Sequence, residues 1–188
     1  VRERWPQVRV VADLDEALAD VGVELVVIAA PNAEHAPLAR RALNAGRAVV
    51  VDKPFTLTLA EAKALAQLGE TRGRLLSVFH NRRWDADFLT LQALIAEGRL
   101  GRIVRFESHF DRFRPQVRDR WREADVPGAG VWYDLGPHLI DQALVLFGRP
   151  LGVSADLAVV RDGGKATDYA HAVLRYDGFR VILHADML

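Results

Sequence analysis

Three short apolar runs, LVVIAA at 25–30, AVVV at 48–51 and RLLSVF at 74–79, are separated by segments of helical length. Apolar runs of this length without alternation are the pattern of parallel strands covered on both faces, and parallel neighbours require a crossover, usually a helix. The intervening segments supply one each time. A helix is expected from about Glu34 to Ala45, stopped by Gly46, and another from Thr58, with Glu61 at capping-box spacing, to about Glu70. Upstream, 8–11 reads as a further strand and 13–20 as a helix whose Asp13 and Glu16 again have capping-box spacing. A βαβ succession of this kind implies a right-handed, doubly wound parallel α/β sheet.

The residues at the carboxyl end of each strand bear on function. Pro31-Asn32 comes after the first run, Asp52-Lys53-Pro54 after the second, and His80, Asn81, Arg82 and Arg83 after the third. Ligands of open α/β sheets bind along the carboxyl edge, so topology alone gathers these clusters around one place. Ordinary turn chemistry accounts for Pro-Asn and Asn-Arg equally well. Lys53 is harder to assign to a turn, because a cation between a buried strand and Pro54 is well placed to hold an ammonium in one position.

From about residue 100 the pattern changes. In 103–113, Val104, Phe106, Ser108 and Phe110 alternate with Arg105, Glu107, His109 and Asp111, the signature of a sheet with one apolar face. Strands are expected at 153–160, 169–176 and 179–186, the last two joined by the hairpin dipeptide Asp177-Gly178. A helix over 85–97 leads into this region. We therefore expect two domains, 1–99 and 100–188, the second α+β with a mainly antiparallel, open-faced sheet, and a site in the cleft between them.

Within the second domain, GVWYDLGPHLID at 130–141 places Asp134 and His138 four residues apart, which stacks carboxylate and imidazole on one helix face. Leu139, Ala143, Leu146 and Phe147 form an apolar stripe behind them. Pro137 suits a first turn, so the helix is expected to begin near Asp134. Three readings stay open for the pair: Asp134 as an N-cap, proton transfer through His138, or a divalent metal held by Asp134 and His138, with or without His109. The arginine-rich segment 112–122 reads either as a solvated, internally paired loop or as a substrate rim in which Trp121 stacks on a sugar-like ring and one arginine meets its hydroxyls or a carboxylate.

Lys plus Arg and Asp plus Glu number 25 each, and half the residues are apolar, which disfavours a nucleic-acid partner. No apolar run approaches a membrane span, and with no basic-apolar leader a cytoplasmic protein is expected. There is no cysteine, which removes disulfide and thiolate chemistry.

Pro31-Asn32 with His35, the Lys53-Pro54 step, and Asp134 with His138 in a glycine-led helix together resemble the glucose-fructose oxidoreductase and inositol dehydrogenase (Gfo/Idh/MocA) superfamily, over essentially the whole chain. The stretches FHNRRWDADFLT, ESHFDRFRP and WYDLGPHLIDQAL resemble most the bacterial branch containing NADP-dependent scyllo-inositol dehydrogenases. The resemblance implies a Rossmann-like cofactor domain, NADP or NAD with NADP favoured, and hydride transfer from a secondary alcohol of a polyol or cyclic sugar. It further implies Lys53, Asp134 and His138 as the catalytic set, and a cofactor site drawn from Pro31, Asn32, His35, Asp52, Lys53, Asn81 and Arg82. Trp121, Arg122 and Asp134 would then meet substrate, and no metal is required. A cofactor-binding regulatory or scaffold protein that lacks catalysis is the alternative, which retention of all three catalytic residues disfavours.

Two departures stand out. Asp52 occupies a position where the family usually has glutamate, and no GxGxxG loop occurs in the chain. Residue 1 is accordingly read as an internal position of a longer protein, and this polypeptide alone is expected to bind dinucleotide poorly. A sheet with a free face leads us to expect a homodimer or tetramer.

Overall fold

The computed structural model describes residues 3–188. The chain divides into two compact units, one ending at Phe79 and the other beginning at His80. In the first, α1 (Leu14–Ala19), β1 (Leu25–Ile28), α2 (His35–Asn44), β2 (Ala48–Asp52), α3 (Leu59–Arg72) and β3 (Leu76–Phe79) build a parallel sheet of order β1-β2-β3. Val26 pairs with Val49, and Val49 with Leu76. The alternate residues Ile28, Val49 and Val51 point into a core completed by Ala39, Leu43 and Leu65 from α2 and α3. Thr58 opens α3 with the expected capping box: its hydroxyl accepts the Glu61 N–H at 3.2 Å and its own N–H donates to the Glu61 carboxylate at 3.0 Å. Gly73 ends that helix in the left-handed region, φ 59°.

Three expectations are corrected here. Residues 8–11 form no strand: among the described residues β1 pairs only with β2, and the Val8 N–H donates to the Trp5 carbonyl at 3.1 Å, a local turn and not a sheet ladder. The run at 25–30 is not covered on both faces, and Val27 is 65 % exposed on the side away from α2 and α3. Asp13 does cap α1, but by accepting the Asp15 N–H at 2.8 Å and not through a box with Glu16.

The second unit comprises α4 (Ala86–Ala96), β4 (Arg105–His109), α5 (Val131–Phe147), β5 (Gly152–Ala158), β6 (Tyr169–Arg175) and β7 (Arg180–Asp186). Its sheet has the order β4-β7-β6-β5, parallel between β4 and β7 and antiparallel elsewhere. The β6–β7 hairpin turns at Asp177-Gly178, with Gly178 at φ 74° and the Tyr176 N–H donating to the Phe179 carbonyl at 3.2 Å. One sheet face is the core: Ala172, Leu174, Val181 and Leu183 pack under Val131, Leu135, Leu139 and Ala143 of α5. The boundary expected at 99/100 moves forward to 79/80, and the segment just after it, 80–83, is tied to α5. Gln142 donates to the Arg82 carbonyl at 3.0 Å, and Arg83 holds Asp141 through two bonds of 2.6 and 2.8 Å.

Helix α5 starts at Val131, one turn before the expected start, with Gly130 at its cap and no side-chain cap bond. Gly130 sits at φ 91°, and the Val131 N–H donates to the Thr167 carbonyl at 2.7 Å, so a contact made from 36 residues away fixes where the helix begins. Pro137 therefore lies inside the helix. Among the described residues no helix is long and apolar enough to cross a membrane.

Candidate active site

In the first unit the carboxyl ends of β1 and β2 are joined by one buried side chain. His35, 1 % exposed, places Nδ1 2.7 Å from the Pro54 carbonyl and Nε2 2.9 Å from the Ala30 carbonyl. A neutral ring donates to one of these carbonyls, and an imidazolium to both. With both nitrogens spent on backbone, His35 is corrected from a cofactor contact to the residue that holds 30–32 against 52–54. Asn32 is buried at the start of a 3-10 turn over Asn32–Glu34, directly after Pro31. Asp52 ends β2 and accepts the Lys53 N–H at 2.8 Å, while the Lys53–Pro54 peptide is cis. A buried amide, a carboxylate and an ammonium thus share one edge of the parallel sheet. Such a set of donors and acceptors fits a ribose and a carboxamide.

In the second unit the polar face of α5 organises its surroundings at i, i+4 and i+7. Asp134, its side chain 24 % exposed, lies 3.9 Å from a guanidinium nitrogen of Arg112 and 4.0 Å from Nε of Arg122. Arg122 in turn covers the Trp121 ring, 4.5 Å from its centroid. His138 is buried, 5 % exposed, with its ring 6.4 Å from that of Phe110. Asp141 chelates Arg83 and stands 3.8 Å from His80 Nε2. Burial lowers the pKa of His80 from 6.5; Asp141 pulls it upward and Arg83 downward.

This geometry removes the capping reading of the pair and takes His109 out of the metal reading. Asp134 is not a cap, since Gly130 takes that position. Nor does His109 join Asp134 and His138: it points to the opposite sheet face, 5.1 Å ring to ring from His184, while its neighbour Phe110 meets His138.

A family model described as the GFO/IDH/MocA C-terminal domain matches residues 88–188. A second, described as the oxidoreductase family with an NAD-binding Rossmann fold, matches 2–80. The chain belongs to the GFO/IDH/MocA oxidoreductases. Its relatives include "Uncharacterized oxidoreductase YdgJ" of Escherichia coli, 58 % identical over 188 residues, covering 100 % of this chain and 54 % of the relative. Another is the Bacillus subtilis "scyllo-inositol 2-dehydrogenase (NADP(+)) IolW", 41 % identical, covering 98 % of this chain and 51 % of the relative. A crystal structure from Klebsiella pneumoniae superposes with a TM-score of 0.90 at 58 % identity, over 100 % of this chain and 52 % of the other. The chain thus spans about half the length of the relatives it matches.

Within this GFO/IDH/MocA chain the predicted residues fall into distinct groups. Asp134, Arg122 and Trp121 come together, so the arginine-rich segment is paired in part with the site face and not only with itself. Arg82 is held by Asp85 at 2.7 Å and lies 4.9 Å over Phe110, which makes it a structural support for 80–85 rather than an outward cofactor ligand. Asn81 is exposed beside it.

The sequence reading missed the element that sets the arginine-rich loop. Arg161 is 4 % exposed, donates from Nε to Asp168 at 2.8 Å and from a terminal nitrogen to the Arg114 carbonyl at 3.0 Å, and contacts Glu123 at 3.1 Å. Burial raises the Glu123 pKa, but the Arg118 N–H, the Arg120 hydrogen bond and the charges of Arg120 and Arg161 outweigh it, so the carboxyl lies below 4.5. Asp168 and Glu123 are 45 residues apart in sequence, and no local pattern joins them.

Proposed function

We propose that the protein containing this chain transfers a hydride between a secondary alcohol of a polyol or cyclic sugar, inositol-like in its hydroxyl pattern, and a nicotinamide dinucleotide. NADP is favoured over NAD by the name of the B. subtilis relative. The observation that carries the proposal is the face of α5, where buried His138 stands one turn from Asp134 and Asp134 is flanked by Arg112, Arg122 and Trp121.

The nicotinamide supplies the hydride acceptor. In oxidation the carbinol C–H pair leaves as hydride, the hydroxyl proton passes to an imidazole nitrogen of His138, and the carbon–oxygen bond becomes a carbonyl. Lys53 hydrogen-bonds the reacting oxygen and offsets the negative charge that develops on it. Asp134, flanked by two guanidinium groups, accepts from a substrate hydroxyl. Trp121, fixed under Arg122, gives the ring a stacking surface. Asn32 and Asp52, with Asn81, would hold the nicotinamide riboside. The proposal includes a cytoplasmic protein that self-associates as a dimer or tetramer.

The test is nicotinamide absorbance with NADP and NAD against a panel of inositols and aldoses. His138→Ala and Lys53→Met are each expected to lower turnover ~100- to 10,000-fold, the range of a single positioned proton-transfer group. Equal turnover in wild type and both variants refutes the roles given. Cofactor binding without turnover on any polyol refutes the enzyme reading and leaves a regulatory member of the family.

A further inference from the structure

The sheet face turned away from α5 carries a row of side chains that hydride transfer does not use. Register places His109 of β4 opposite His184 of β7, His184 opposite His171 of β6, and His171 opposite Asp156 of β5, so one cross-strand row runs through all four strands. Three of the chain's six histidines lie in this row. Adjacent imidazoles repel when protonated and gain nothing from stacking that an apolar pair would not supply, so sheet stability alone does not explain them.

Beside the row stands Asp111, carried on the continuation of β4, where the Phe110 N–H donates to the His184 carbonyl at 2.9 Å and the Arg112 N–H to the Asp186 carbonyl at 2.9 Å. Asp111 lies 3.3 Å from His109 Nδ1 and 3.7 Å from His184 Nε2. One ligand atom from each of His109, Asp111 and His184 falls within 4.8 Å of the others. Ligands ~2.0–2.2 Å from a tetrahedral ion stand roughly 3.4 Å apart, so small side-chain rotations close the set. Asp186 Oδ2, 3.8 Å from His184 Nε2, is within reach as a fourth donor.

The arrangement around His184 gives the ring one direction. Its Nε2 faces the carboxylates, while its Nδ1 is 3.4 Å from His171 Nδ1. A ligating imidazole has its other nitrogen fixed by a hydrogen bond, and His171 occupies that place.

We propose that His109, Asp111 and His184 form a binding site for a zinc-class divalent ion on the outer face of this sheet, with His171 as the residue that orients His184. Two imidazoles and a carboxylate favour zinc, nickel or copper over magnesium or calcium. The ion would fasten β4, whose one strand partner among the described residues is β7, to that partner. It stands apart from His138, on the opposite face of the sheet.

Cobalt(II), a spectroscopic substitute for zinc, titrated into the purified protein is the test. Saturation at one ion per chain is expected, with visible bands of a four-coordinate nitrogen–oxygen site. His109→Ala and His184→Ala should each abolish saturable binding, and His171→Phe should weaken it ~10- to 100-fold, as loss of an orienting partner does. His109 lies at the surface, so its variant tests the site even if His184→Ala fails to fold. Absence of saturable binding, or binding unchanged in His109→Ala, overturns the proposal.

Discussion

Replacing Arg161 with methionine keeps the aliphatic stem and removes the cation from a cluster in which Arg161 is 4 % exposed and Asp168 1 %. The two carboxylates it leaves are not equivalent. Glu123 retains Arg120 at 2.6 Å and the Arg118 N–H at 3.0 Å. Among the described residues Asp168 retains backbone donors, Val160 at 2.7 Å and residue 161 itself at 3.4 Å, and loses the cation that pairs with it. Breaking a buried pair from one side costs about 3–5 kcal/mol, and the surviving N–H contacts put the expected loss near ~3 kcal/mol. Asp168→Asn in the same chain keeps an acceptor for Val160 and removes the stranded charge, so the double variant should recover about 2 kcal/mol of that loss. Urea unfolding monitored by tryptophan fluorescence, with Trp84, Trp121 and Trp132 all in the second unit, measures each leg of the cycle. Acid titration adds a sign. Because the folded Glu123 carboxyl lies below 4.5, it contributes stability that is fully present above that value and is lost as pH falls through the depressed one. Arg161→Met should make this acid limb only slightly shallower, because the Arg118 N–H and Arg120 outweigh Arg161 in lowering the Glu123 carboxyl. A loss under about 1 kcal/mol, or strict additivity in the double variant, would refute the assignment of Arg161 as the counter-charge of Asp168.

The second unit offers further tests. His80 has a folded pKa below 6.5, so the folded state binds fewer protons there; stability is full above pH 6.5 and declines as pH falls from 6.5 toward the folded value. His80→Asn should remove that slope, and an unchanged pH profile of thermal unfolding would contradict it. A Cβ at Gly136 would stand 2.8 Å from the Trp132 ring, so Gly136→Ala should destabilise by about 1–2 kcal/mol despite alanine's higher helix propensity and should shift Trp132 emission; a more stable variant would show that the ring yields freely. Asp141→Ala should speed amide exchange over 81–85 by releasing Arg83, at a cost of about 1.5–3 kcal/mol, and equal exchange rates would mean that the chelate does not hold that turn.

Local chemistry was readable from sequence wherever a few neighbouring residues decided the outcome. The Thr58–Glu61 box, the Asp177-Gly178 turn, the alternation of β4 and the shared face of Asp134 and His138 each depend on spacings under five residues or on strict period two. The features that stayed hidden depend on distant partners. The start of α5 is set by Thr167, the function of His35 by Pro54 and Ala30, and the posture of Trp121 and Arg122 by Arg161 and Asp168. The unit boundary was misread because the bond from Arg83 to Asp141 spans 58 residues. The place of Asp141 was legible, seven residues from Asp134 on the same polar face, but its partner Arg83, just after β3, was not.

The pairing of β4 with β7 also governs the order in which this unit can be built on a ribosome. Arg105 pairs with Arg180, and β4 has no other strand beside it among the described residues. At ~5–20 residues per second, translation leaves β4 waiting for several seconds before its partner emerges. Throughout that interval Phe106 and Phe110, later covered by the core, are presented to the nascent-chain surroundings on one side of an unmatched backbone. The charged and histidine side chains on the other side, Arg105, Glu107 and His109, act as a solubilising guard during synthesis, before β7 completes the sheet.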